Sequence, residues 1–160
     1  MAQVTVEYMI LIPILIMQIF LFPFVVNVMM SGWADSRQTL ALQDAASNIG
    51  SSIQQVYFAL EHATIEAGTL VTKFNVPPLI EGYTYKGNAT LRAVLDPDAE
   101  PNQVLEIYLK FRESSISATV SVTLGQNVEW RNSTFSSNST EACLSAEKFA
   151  NGTILLSFGV

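Results

Sequence analysis

QVTVEYMILIPILIMQIFLFPFVVNVMM, residues 3–30, is the stretch whose reading decides the fold. Glu7 is its only charged side chain, Pro13 and Pro23 sit inside it, and the first Lys or Arg is Arg37. Residues 8–30 are interrupted in polarity only by Gln18 and Asn27. As a helix these 23 residues would be about 35 Å long. A bilayer core is about 30 Å thick, so length alone makes the segment a membrane span. A removable secretory signal has a shorter apolar core, about 7–15 residues, behind a positive start. No basic residue precedes Tyr8.

A simple anchor explains the length but not the flanks, because anchors carry Lys or Arg on their cytoplasmic side. It also leaves Glu7 without a role. The other reading is a helix that leaves the bilayer and packs among copies of itself. Apolar character all round the helix fits burial on all sides. A buried carboxylate then needs a partner. The only cation near the start is the α-amino group, and an amine of one copy meeting Glu7 of the next would penalise every wrong register. Pro13 and Pro23 remove the amides that would bond the carbonyls of Met9 and Ile19. They read either as ordinary kinks of a membrane helix or as bends that let neighbouring copies interlock.

Outward from this segment the helical period persists. Leu42, Ala46, Ile49, Ile53, Val56 and Leu60 form a one-sided stripe, with Asp44, Ser47, Ser51 and Gln54 off it. No proline falls between Pro23 and Pro77. One helix over residues 4–62 is expected, roughly 90 Å long. A chain of 160 residues cannot bury it, so its first half must meet lipid or other subunits. Its second half can lay the stripe on a head.

After Gly68 the period becomes two. TLVTKFNV (69–76), VLEIYLKF (104–111) and SATVSVTL (117–124) read as strands, with a weaker one over 128–135. YTY (83–85) and ATLRAVL (89–95) flank Lys86-Gly87-Asn88, which reads as a three-residue hairpin loop. DPDAEPN (96–102) reads as a loop, and Asn151-Gly152 as a two-residue turn. The expected class is α+β: a long apolar N-terminal helix, residues 1–63, then a small antiparallel β-sandwich or barrel head, residues 64–160.

Asn88, Asn132, Asn138 and Asn151 each begin an N-glycosylation acceptor pattern, Asn-x-Ser/Thr. All four fall in the expected head, where the same residues also make turns. Sugars there would place the head outside the cell. A formal charge of −6 argues against nucleic acid as a partner. One cysteine, Cys143, excludes an intrachain disulfide, and one histidine, His62, with it leaves no His/Cys metal set. There is no Gly-rich phosphate loop. Glu61 and Glu66 lie five apart and off a shared helix face. No enzyme chemistry, cofactor or metal is expected.

Gln3, Thr5, Glu7 and Tyr8 in QVTVEY resemble the Q-x-S-x-E-Y start of archaeal type IV pilins with class III signal peptides, with Thr5 where Ser is usual. The resemblance is local: six residues and the apolar run behind them. It implies a prepilin peptidase cut between Ala2 and Gln3, a helix that becomes a filament core, and an outward β-rich, lollipop-shaped subunit. Glu7 and Tyr8 would then set assembly register. The basic residues that the family's precursors carry before the cut are not found in Met1 and Ala2. The resemblance also implies pilus assembly machinery as a partner, with the chain in the cytoplasmic membrane before assembly and at the cell surface after it. The alternative is a single-span anchored surface protein, or a minor pseudopilin that forms no homopolymer.

Overall fold

A computed structural model describes residues 2–62, 65–94, 102–139 and 142–159, with side chains described from Met9 onward and that of Val94 excepted. One helix, α1 (Ala2–Glu61), takes in both prolines. Eight strands follow: β1 (Gly68–Lys73), β2 (Tyr85–Val94), β3 (Asn102–Phe111), β4 (Ser117–Leu124), β5 (Val128–Trp130), β6 (Thr134–Ser136), β7 (Cys143–Lys148) and β8 (Ile154–Phe158). They form two four-stranded sheets, ordered β1-β7-β8-β5 and β4-β3-β2-β6. The expected class, a long apolar helix followed by a small β-rich head, is what the chain adopts. The expected loop at residues 96–102 lies outside the described residues, apart from Asn102, which begins β3.

The chain divides into two compact units, Met1–Arg37 and Gln38–Val160. The second unit holds the core, and the last part of α1 belongs to it. All six residues of the sequence stripe are buried there, joined by Ala45 and Tyr57. Gly50 lets α1 approach β3 and β4 closely: a Cβ on it would lie 2.7 Å from Val122 Cγ2. Leu105, Ile107, Leu109 and Phe111 alternate inward along β3, as the period of two predicts. Phe158 of β8 meets Trp130 of β5 and Phe135 of β6 edge-on, so both sheets share one core.

Lys148, in β7, is nearly buried and donates from Nζ to the carbonyl of Leu60 at 2.7 Å and of His62 at 3.4 Å. A cation at the carbonyl end of a helix is favourable, by about 0.3–1 kcal/mol at an exposed site and more when partly buried.

Three local expectations are corrected. Lys86-Gly87-Asn88 is no loop: β2 runs straight through it, paired with β3 on one side and β6 on the other. Glycine is there for space. A Cβ at Gly87 would lie 2.2 Å from Phe135 Cε1 and 2.7 Å from Leu109 Cδ2. The hairpin turn falls earlier, where Ile80 and Tyr83 exchange backbone hydrogen bonds of 3.0 and 2.9 Å. Glu81 and Gly82 between them both have positive φ, as a type I′ turn requires.

The weak strand over 128–135 is two strands in different sheets. Val128 and Phe135 both face the core, yet they lie seven residues apart, so one straight strand would point them to opposite faces. The chain changes sheet between them. Ser133 holds the crossing, accepting from the Phe158 amide (2.7 Å) and donating to the Arg131 carbonyl (2.9 Å). β5 then pairs with β8 in parallel, the one exception to antiparallel pairing among the described strands.

At Asn151-Gly152 the chain does turn, but Phe149 donates to the Thr153 carbonyl and Gly152 to that of Phe149, closing a three-residue loop. Only Gly152 has positive φ, so the turn is not type I′.

Tyr85 is fully buried and donates its hydroxyl to the Pro77 carbonyl at 2.7 Å. Burial pushes its pKa from 10.0 up to about 12. Because the folded value lies above the unfolded one, the neutral phenol's contribution is complete below pH 10. It is lost as pH rises from about 10 through about 12. Unfolding followed against pH should therefore show a flat plateau that falls in that window. Tyr85→Phe should shrink the fall, leaving the part due to Tyr57, raised to about 12 by burial and by Glu61.

Candidate functional site

The first unit presents apolar side chains on every face. Met9, Phe20, Phe22 and Phe24 are each about 70% or more exposed, and residues 10–19 are exposed throughout. The best 18-residue window of α1 has a mean hydropathy of 2.7 and none of it is buried. By length and composition this helix can cross a membrane. Among the described residues nothing within the unit covers it, and an exposed apolar surface of this size marks a site of contact with lipid or protein.

Glu7 and Tyr8, the expected register residues, and Ala2 and Gln3 at the expected cut lie on the helical backbone, and their side chains lie outside the described residues. Pro13 and Pro23 are exposed. Leu15, Gln18, Ile19, Phe22 and Pro23 line a shallow concavity on the helix surface. Further along, Trp33, Leu40 and Phe58 also stand exposed.

The four sequon asparagines are all exposed and all in the head, but their settings differ. Asn88 lies inside β2, with its backbone between two partner strands. Asn132 lies in the crossing between β5 and β6. Asn138 follows β6, and its Oδ1 accepts from Ser136 Oγ at 2.8 Å. Asn151 sits in the β7–β8 turn, where its Oδ1 accepts from the Thr153 amide at 3.0 Å.

The head brings two of them together. Asn88 pairs with Thr134 across β2 and β6. A hollow of about 280 Å³ is lined by Asn88, Ala89, Thr90, Asn132, Ser133 and Thr134, which are two complete sequons and nothing else. A larger cleft of about 550 Å³ shares Thr90 and Asn132 with it and continues past Leu91, Gln103 and Val128 to Glu129 and Trp130. Two of its lining side chains, Gln103 through Oε1 and Trp130 through Nε1, carry the buried polar atoms without a partner among the described residues. The acceptor patterns were visible in the sequence. Their pairing was not, because it depends on a register 46 residues apart in the chain.

The residues weighed for catalysis have structural settings. Cys143 is buried in β7. The Glu61 carboxylate accepts from the Tyr57 hydroxyl at 2.9 Å, and that hydroxyl also lies 3.1 Å from Asn127 Oδ1. Among the described residues no three of His, Cys, Asp and Glu gather as metal ligands. Comparison with protein-family models, with characterised proteins and with solved structures finds no match.

Proposed function

We propose that this chain is a structural subunit of an archaeal type IV pilus, a filament for surface attachment, and not an enzyme. The observation that carries the reading is one continuous helix whose first unit is apolar on every face, entered through QVTVEY and leading into a β-rich head. Before assembly that helix sits in the cytoplasmic membrane. A prepilin peptidase cuts before Gln3, and the assembly machinery transfers the helix from lipid to a bundle of its own copies. The head then faces outward at the cell surface, where its sequons can carry sugar.

The physical cost of that transfer is modest. Each helix buries on the order of 2,000 Å² of apolar surface, worth about 25 cal/mol per Å² if it came from water. Lipid is already apolar, so the net drive comes from packing, from register and from the motor. Register is the task assigned to Glu7. A single-copy anchored surface protein is the competing reading. Electron microscopy of material sheared from the producing cells separates the two.

A further inference from the structure

We propose that Asn88 and Asn132 form one composite N-glycan acceptor, loaded with a single sugar chain at a time. The proposal rests on the reading that the head lies outside the cell, and deepens it. Its basis is one strand pairing and one shared hollow. Asn88 of β2 lies opposite Thr134 of β6, and the pairing ends there, where β6 begins. Ser133 and Asn132 precede it in the crossing and line the same hollow as Asn88, Ala89 and Thr90. The two patterns thus adjoin, with Asn88 facing the other pattern's threonine.

Asn88, Thr90 and Thr134 are exposed and Ala89 is buried, so these three share the outward face, and Asn132 is exposed just before β6. Asn88 lies opposite Thr134, two residues from Asn132 in the chain. Together they border one hollow of about 280 Å³. That is slightly below the roughly 300–1,000 Å³ of pockets for drug-sized ligands, so it has room for one sugar ring at its root.

In the modification, an asparagine Nδ2 attacks the anomeric carbon of a lipid-linked sugar phosphate. The new C–N bond forms as the C–O bond to the phosphate breaks. The lipid phosphate leaves, and Nδ2 loses one proton to a base of the transferase. The first sugar then stands over the hollow and beside the second Nδ2, which a second donor must reach in line. The adjoining cleft, shared through Thr90 and Asn132, gives the chain a path towards Trp130.

The test uses the chain purified from its producing cells, with Asn138 and Asn151 replaced by glutamine so that intact mass counts this pair alone. Mass spectrometry should find one glycan or none per molecule at the pair, never two. In Asn88→Gln or Asn132→Gln, occupancy of the remaining acceptor should double from an even partition, because its one competitor for the transfer is gone. Molecules carrying both glycans would overturn the proposal, and so would an unchanged occupancy at the surviving acceptor. Glycans on Asn138 or Asn151 of the unmutated chain, with this pair bare, would overturn the composite acceptor and leave the exterior placement of the head standing.

Discussion

Replacing Glu7 by alanine should lower filament yield at least tenfold while leaving the head folded. In the proposed filament core a carboxylate would have no water to solvate it and would be retained only beside a cation. The cation proposed for it is the α-amino group of a neighbouring copy, freed at Gln3 if the proposed cut is made. Removing one partner of a buried pair costs about 3–5 kcal/mol, because the other charge is left alone. Since about 1.4 kcal/mol is tenfold in an equilibrium constant, even a partly hydrated pair gives that effect. The loss should appear in the amount of sheared filament. The circular dichroism of the head should not change, because Glu7 lies outside its compact unit. Glu7→Gln keeps the shape and one acceptor oxygen but not the charge, and should assemble poorly as well. Normal assembly of both variants would remove Glu7 from the account of register.

The second large effect is expected at Gly87→Val. Even the first added carbon would lie 2.2 Å from Phe135 Cε1, with Leu109 Cδ2 at 2.7 Å on the other side. Phe135 cannot simply rotate away, because it is packed against Phe74, Tyr85 and Phe158. Overpacking of this kind costs about 1–3 kcal/mol, and the upper end applies where the neighbours are locked. The head should lose on the order of 10 °C in melting temperature. Gly68→Ala is the control, since a Cβ there meets nothing within 4 Å. A melting temperature for Gly87→Val equal to that control would contradict the packing described for β2 and β6.

Gly87 also marks where sequence reading stops. In isolation, Lys86-Gly87-Asn88 carries turn chemistry, and a glycine kept for turning cannot be told from one kept for space. The deciding fact is an aromatic ring 48 residues later in the chain. The same limit hid the cation at the helix end: Lys148 is 88 residues from Leu60, whose carbonyl it caps. It also hid the switch of sheets at residues 131–133, where two short apolar pieces read as one weak strand. Local periodicity succeeded where one face of one element meets the core over several turns or strand repeats. The stripe from Leu42 to Leu60 and the alternation along β3 are of that kind. The exposed apolar run of α1 was legible without any period. Its length and all-round character are properties of the segment itself.

The Glu7 effect follows from placing many copies of this helix side by side with their heads outward. The direct measurement is electron microscopy of material sheared from the producing cells, with intact-mass analysis of its main subunit. The account predicts filaments built of this chain, with a mass that begins at Gln3 and includes any attached sugar. Recovery of the chain as single copies in the membrane fraction, with no filament containing it, would contradict the account.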